Sequence, residues 1–177
     1  MFISNWYAIR TQSRTEKMVR DALTHRAIDT FLPLMTRVSE WKGRHKSIEW
    51  ALFPGYCFAK FSLSQQLLVT QTPGVVEIMG PVEGRPEAIP DEDIAAIRRF
   101  IQYGARYQAD LGLEEGTRVE VMRGPLAGIQ GKLVRKTDRC RLVVFIHVIG
   151  QGASIEMDAE NTALICSSFQ DSKKTTE

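Results

Sequence analysis

Residues 51–61 read ALFPGYCFAKF, and this stretch decides how the first half of the chain is predicted to fold. Four aromatic residues surround a Pro-Gly pair in a chain whose aromatic content is only 8%. After Gly55 the residues alternate as in a β-strand, where successive side chains lie on opposite faces. One face carries Tyr56, Phe58 and Lys60, and the other carries Cys57, Ala59 and Phe61. Helices of a small domain commonly cover one sheet face, so a second apolar face needs a cover of its own.

The composition is typical of a globular cytoplasmic protein. The 177 residues, 44% hydrophobic and 25% charged, suit one ordinary domain or two small ones and exclude a disordered chain. The net charge of +2 gives no global signal for nucleic-acid binding. Cys57, Cys140 and Cys166 are widely spaced, which argues against a disulfide scaffold and a zinc site. No stretch has the length of a signal peptide or a membrane span, so we expect a cytoplasmic protein without membrane association.

The first unit alternates strand and helix signals. Strands are predicted over residues 5–11, 30–38, 56–61 and 75–80. Helices are predicted after the capping box Ser13-x-x-Glu16, from Ser62, and from Asp91, where acidic residues favour the first turn. The order β-α-β-β-α-β-α predicts an α+β fold, a ferredoxin-like α/β sandwich, over residues 1–104.

The second unit contains strand signals only. After a linker-like stretch at residues 105–113, short strands are predicted at residues 117–121, 128–136, 141–149, 153–158 and 162–166. Five short strands without helices predict a small β-barrel over residues 114–166, because closure removes exposed sheet edges. The polar residues 167–177 are predicted to form a flexible tail.

No group of residues predicts catalysis. His25, His45 and His147 share neither a motif nor a metal-ligand spacing. Residues 124–132 loosely resemble a phosphate loop, but the spacing is wrong and Leu133 stands where Ser or Thr would bind magnesium. We therefore expect no enzyme, no cofactor and no bound metal.

A basic stretch lies at residues 37–46 and reads RVSEWKGRHK. Against the single acid Glu40 it holds four cationic residues, Arg37, Lys42, Arg44 and Lys46. With Trp41 among them, such a hairpin loop suits phosphate contact and stacking on an unpaired base. The alternative is a loop whose charges only keep it solvated.

The aromatic residues Phe53, Tyr56 and Phe58 also allow two interpretations. They are core residues if a helix packs over them, which is the more frequent fate of such side chains. They are a partner-binding site if the second sheet face stays open, because a large exposed apolar patch marks an interaction surface.

Motifs in both units resemble one family. Residues 6–7 (WY), 52–56 (LFPGY) and 72–75 (TPGV) are similar to the N-terminal NGN domain of the NusG family of transcription elongation factors. Residues 116–119 (GTRV) and 124–131 (GPLAGIQG) resemble a KOW motif. The resemblance covers about residues 5–166. It implies an NGN domain followed by a five-stranded SH3-like KOW barrel.

By this resemblance, the open apolar face docks on the coiled-coil clamp helices of the largest catalytic subunit of bacterial RNA polymerase. The implied polymerase-binding residues are Phe53, Tyr56 and Phe58 as anchors, with Trp6, Tyr7 and Arg10 nearby. The other side of the domain approaches the non-template DNA strand. Its candidate contacts are Arg14, Lys17, Arg37, Trp41, Lys42, Arg44, Lys46, Gln71 and Thr72. A monomer that bridges the polymerase cleft in this way is expected to suppress pausing and promote antitermination.

The second domain of this family recruits the Rho terminator or a small-subunit ribosomal protein. Family members carry an aromatic-Gly-Arg turn where this chain has Ile149-Gly150-Gln151. Losing the arginine removes a charge-assisted contact worth about 1.5–3 kcal/mol, which argues against Rho. The first domain is similar to operon-specific paralogues of the RfaH and UpxY kind. The alternatives are a housekeeping NusG-type factor, coupling polymerase to Rho or the ribosome, and a KOW-type RNA-binding or ribosome-associated protein.

One specialised relative refolds its second domain into a helical hairpin. Residues 143–149 form a β-branched and aromatic run with poor helix propensity. We therefore expect an obligate barrel here.

Overall fold

A computed structural model describes residues 3–41, 44–103, 106–108, 117–121, 126–136, 139–157 and 164–165. In chain order, the first half contains β1 (Asn5–Thr11), α1 (Glu16–His25), β2 (Asp29–Phe31), β3 (Leu34–Trp41), β4 (Arg44–Ala51), β5 (Tyr56–Phe61), α2 (Gln66–Thr70), β6 (Val75–Ile78) and α3 (Asp91–Gln102). The second half contains β7 (Arg106–Gln108), β8 (Thr117–Val121), β9 (Gln130–Lys136), β10 (Arg139–Ile146), β11 (Gln151–Met157) and β12 (Leu164–Ile165). In these described segments, no helix is long and apolar enough to span a bilayer.

The first sheet has the order β2-β5-β1-β6, with every neighbouring pair antiparallel. β1 and β2 both pair with β5, so they run parallel to each other, and α1 connects them. β5 and β6 are likewise parallel, with β1 between them and α2 in the connection. Two split β-α-β units of this kind make a ferredoxin-like sheet, which confirms the predicted fold class.

Both faces of the first sheet are covered by helices. Tyr7, Ile9, Ala59 and Phe61 belong to one buried cluster with Val19 and Leu23 of α1 and Val69 of α2. On the opposite face, Trp6, Ala8 and Phe58 belong to a second cluster with Ile94, Ile97 and Phe100 of α3. We call this the α3-side cluster. Helix α3 therefore covers the sheet face that carries Phe58, so both apolar faces of β5 are packed against helices.

The first helix begins later than its sequence predicts. The capping box at Ser13 is wrong, because Thr15 is the N-cap residue and its side chain makes no capping hydrogen bond. Arg14 has a φ of +64°, a left-handed conformation that cannot continue into a helix. The carboxylate of Glu16 instead accepts a 2.8 Å hydrogen bond from the N–H of Gly55. This long-range bond ties the start of α1 to the turn before β5.

The predicted strand at residues 30–38 is two strands, separated at Leu32 and Pro33. Proline lacks the N–H that a continuous ladder requires, and the Pro33 carbonyl accepts a 2.7 Å bond from the N–H of Leu52. The basic stretch predicted as a loop is also mostly strand. It forms the β3–β4 hairpin, in which Trp41 pairs with Arg44, while Lys42 and Gly43 lie outside the described residues.

The second unit is a sheet of order β12-β8-β9-β10-β11-β7 with antiparallel neighbours. A strand lies at each of the five predicted places, but residues 147–149, predicted as the end of the third strand, form a 3-10 helix instead. Closure of the sheet into a barrel stays a prediction. β7 lies within the predicted linker and adds a strand beside β11. The predicted tail at residues 167–177 lies outside the described residues, and the predicted domain boundaries stay predictions.

The two units share one hydrophobic cluster. The α3-side cluster continues into the second unit through Leu126, Ile129, Leu142 and Val144. Because Ile94, Ile97 and Phe100 of α3 belong to this cluster together with residues of both sheets, α3 is the element that joins them.

Candidate functional site

The predicted polymerase anchors lie in the interior. Phe53 and Phe58 are both 0% exposed, and their rings meet edge to face with centroids 5.9 Å apart. Trp6 is also buried, in the same α3-side cluster. The expectation of an open patch at these residues is therefore wrong for this conformation, because α3 and the second sheet complete the cluster around them.

Tyr7 does not join the other candidates. Successive residues of a strand lie on opposite faces, so Tyr7 faces away from Trp6. Its ring packs 4.7 Å from the ring of Phe61, in the cluster beneath α1 and α2. Tyr7 is thus a core residue of the other sheet face.

The accessible part of the candidate face lies around Tyr56 and Arg10. These residues are directly opposite each other in the β1–β5 pairing, so they share a face. Tyr56 is partly buried, whereas Arg10 is exposed and its Nη1 lies 3.0 Å from Oε1 of Glu77. An exposed pair of this kind contributes little stability, about 0–1 kcal/mol, so Arg10 is free to change partners at low cost.

Two cations next to Trp6 were missed by the sequence analysis. The guanidinium of Arg98 lies 5.6 Å from the Trp6 ring centroid and 4.8 Å from that of Phe31. The Nζ of Lys60 lies 5.9 Å from the Trp6 ring and 2.9 Å from Oδ1 of Asp91. The only sequence signal was the position of Lys60 on the same strand face as Phe58. Two positively charged side chains therefore lie at the edge of the α3-side cluster.

The predicted partner turn of the second unit faces α3. Ile149 is buried in the α3-side cluster, and Gly150 has a φ of +62°. Asp93 in the first turn of α3 is partly buried. Burial raises the pKa of its carboxyl, and the charge of His147 opposes this rise. Of the three turn residues, Ile149 is therefore unavailable to a partner in this conformation, while Gly150 is exposed and Gln151 partly buried.

The nucleic-acid candidates are spread over several surfaces. Arg14 and Gln71 are exposed, and the Nζ of Lys17 lies 2.9 Å from Oε2 of Glu49. Thr72 is only 2% exposed. Its hydroxyl donates to the Leu68 carbonyl oxygen and accepts from Nη1 of Arg26, both at 3.0 Å. The prediction that Thr72 is a surface contact is therefore wrong, because its hydroxyl is used inside the fold.

The remaining candidates lie on the β3–β4 hairpin. Arg37, Trp41, Arg44 and Lys46 are strand residues, and Lys42 lies outside the described residues. The hairpin register brings Trp41 opposite Arg44 and Lys46 opposite Ser39. These candidates are therefore neighbours on one small sheet.

The described residues hold no group of three or more His, Cys, Asp or Glu side chains that could hold a metal ion. Cys57 lies in β5 and is buried, and burial raises the pKa of its thiol to about 12. A thiol in this state is not ionised at neutral pH, so Cys57 is a packing residue and not a nucleophile.

Comparison with known proteins identifies the family. The sequence model of the family described as "Transcription termination factor nusG" matches residues 4–98, which is more than half of the chain. The chain belongs to the NusG family. NusG proteins are transcription factors.

Curated NusG relatives align with both units. The chain is 28% identical to the transcription termination/antitermination protein NusG of Escherichia coli K12 over 86% of this chain and 92% of the relative. It is 25% identical to the protein of the same name from Halalkalibacterium halodurans, over 87% and 94%. A solved structure described as the domain interaction in Thermotoga maritima NusG matches with a TM-score of 0.50 and 19% identity, over 90% of this chain and 96% of that one. This last match shows a common fold.

Proposed function

We propose that this chain binds bacterial RNA polymerase at the clamp helices of the largest catalytic subunit, and that it suppresses pausing and promotes antitermination on particular operons. The observation that supports the docking face is the aromatic cluster of Trp6, Phe53 and Phe58 with Tyr56 and Arg10 at its accessible edge. A helical partner that presents apolar and acidic side chains suits an aromatic edge beside Arg10.

The polymerase first contacts the accessible edge around Tyr56 and Arg10. The contact surface then becomes larger when the second sheet separates from α3. While the second sheet packs against α3, Phe53 and Phe58 are buried, so they offer no surface to a partner. Separation of the units exposes the apolar side of α3 that faces the second sheet, and polymerase helices can take its place. The binding energy of the polymerase then offsets the lost contact between the units.

The test must avoid the buried anchors. Phe58→Ala would cost about 3–5 kcal/mol of folding free energy, so a loss of binding in that variant would not identify the docking surface. Tyr56 is only partly buried, so Tyr56→Ala is the informative variant, and Tyr103→Ala is a matched control because Tyr103 is a 49% exposed tyrosine at the end of α3, outside the β1–β5 edge. The measurement is capture of bacterial RNA polymerase, with circular dichroism to verify folding.

We expect Tyr56→Ala to weaken capture while Tyr103→Ala binds like the wild type. Equal capture by all three proteins would move the docking surface away from the β1–β5 edge. A protein that captures polymerase normally but leaves pause lifetimes unchanged in a single-round elongation assay would contradict the antipausing activity.

The operon-specific role is supported by the turn Ile149-Gly150-Gln151, which lacks an arginine that could pair with Rho. The housekeeping alternative is supported by curated NusG relatives that align with both units. A transcription reaction with Rho separates them. The operon-specific role predicts unchanged termination sites when the protein is added, whereas earlier Rho-dependent termination would establish the housekeeping role.

A further inference from the structure

The turn before β5 is held from two sides. The N–H of Gly55 donates a 2.8 Å hydrogen bond to Oε1 of Glu16, the first residue of α1. The carbonyl oxygen of Gly55 accepts a 2.8 Å bond from the N–H of Thr11, the last residue of β1. Both polar backbone groups of this one glycine are therefore bonded to elements that are far from it in the sequence.

The conformation of this turn depends on the orientation of one peptide plane. The N–H of Tyr56 donates a 3.1 Å bond to the carbonyl oxygen of Phe53, the first residue of the turn. Pro54 is the second residue and Gly55, with a φ of +82°, is the third, which is the pattern of a type II β-turn. A type I turn differs by roughly a half-turn of the peptide that joins these two residues. In a type I turn the N–H of Gly55 would point away from Glu16, so the bond to Glu16 selects type II.

Packing around the turn does not select its conformation. A Cβ atom at position 55 would meet no other atom within 4 Å, so glycine is needed there for its positive φ and not for space. Glu16 is partly buried, so water competes for its carboxylate less than at a fully exposed position. The bond from Gly55 to Glu16 is therefore well placed to decide between the two turn types.

We propose that Glu16 is a positioning residue for polymerase docking, because its carboxylate holds the turn in the type II form and so places Tyr56 at the accessible edge. Tyr56 is the first residue of β5 and lies opposite Arg10. A backbone that is fixed before the partner arrives loses less conformational entropy on binding, so the affinity is higher. The inference rests on the proposed function, since Glu16 acts through the proposed docking surface.

Glu16 also lies in the first turn of α1, where a negative charge interacts favourably with the helix dipole. Two conservative variants separate this role from the positioning role. Glu16→Gln keeps the length of the side chain and a carbonyl oxygen that can accept the bond, but it loses the charge. Glu16→Asp keeps the charge but is one methylene shorter, so its carboxylate does not reach the N–H of Gly55.

The first measurement is amide hydrogen exchange of the free full-length protein by NMR. We expect the Gly55 amide to exchange about tenfold faster in Glu16→Asp than in the wild type, and to stay protected in Glu16→Gln. Asp21→Ala is a matched control, because Asp21 is another acid of α1 but is paired with Arg20. Unchanged exchange of the Gly55 amide in folded Glu16→Asp would overturn the proposal without any polymerase.

The second measurement is the affinity of the same variants for bacterial RNA polymerase. We expect Glu16→Asp to bind about tenfold more weakly than the wild type, and Glu16→Gln to bind within about threefold of it. Glu16→Asp should have no further effect in a Tyr56→Ala background, because both changes act on the same contact. A role of Glu16 in stability alone would not produce this loss of additivity.

The outcomes separate the positioning role from the proposed function. If Glu16→Asp binds like the wild type and Glu16→Gln binds weakly, Glu16 acts on the helix dipole and the proposal is overturned. If Tyr56→Ala weakens binding but neither Glu16 variant does, the docking surface stands and only the positioning role fails. A wild type that does not bind polymerase, or that binds no better than Tyr56→Ala, would overturn the proposed docking surface and the positioning role together.

Discussion

Arg99 on α3 donates a 2.6 Å hydrogen bond from Nη1 to the carbonyl oxygen of Ala127, which lies in the turn between β8 and β9. This bond is a direct polar link between the two units. It lies beside the hydrophobic cluster that α3 shares with both sheets. Contact between the units therefore combines apolar burial with one oriented hydrogen bond.

We expect Arg99→Ala to weaken the contact between the units by about 1 kcal/mol, because it removes a single exposed hydrogen bond. The measurement is small-angle X-ray scattering, in which separation of the units raises the radius of gyration. Polymerase capture should rise in parallel, since the apolar side of α3 becomes accessible. Tyr103→Ala at the end of α3 should change neither quantity, and an unchanged radius for Arg99→Ala would show that the bond does not hold the units together.

Thr72→Val should destabilise the first unit by about 1 kcal/mol. The hydroxyl of Thr72 accepts a bond from Arg26 and donates one to the Leu68 carbonyl oxygen, and valine keeps the volume but removes both bonds, while the direct bond from Arg26 to Leu68 remains. Urea unfolding measures the change, and Gln71→Ala, at an exposed position, should unfold like the wild type. If Thr72→Val were as stable as the wild type yet lost nucleic-acid binding, Thr72 would be a surface contact after all.

Asp93 predicts a pH dependence of stability. Burial raises the pKa of its carboxyl above the usual 3.8, so the folded protein binds a proton more readily than the unfolded chain. This contribution to the free energy of unfolding is full below the unfolded pKa of 3.8 and is lost as the pH rises through the folded pKa. Thermal unfolding at a series of pH values should show this loss in the wild type. Asp93→Asn should lack it, and identical profiles would mean that Asp93 is not desolvated in the folded state.

Residues 105–177 alone should give the circular dichroism spectrum of a β-protein. Leu142, Val143, Val144 and Ile146 are buried in β10, and the β-branched residues among them are poor helix formers. Substantial helix in the isolated segment would contradict an obligate β-fold and indicate a domain that changes its secondary structure.

Local sequence patterns predicted the bounds of helices and strands correctly where residues close in the sequence determine the conformation. The predicted bounds of β1 and β5 agree with the structure, because apolar residues occupy both faces of these strands and turn residues border them. The acidic first turn of α3 was also correct. The start of α1 was not, because Glu16 is held by Gly55, a residue 39 positions away that no local pattern reveals.

The sequence by itself determined the family, the ferredoxin-like order of elements and the apolar character of both sheet faces, since these depend on residue type and spacing along the chain. Only the tertiary structure decided which of these apolar residues are buried and which remain accessible. Burial of Phe53 and Phe58 depends on where α3 and the second sheet pack. The pairing of Trp41 with Arg44 and of Lys46 with Ser39 on the β3–β4 hairpin depends on strand register, because a shift of one residue would change every pair without changing the composition.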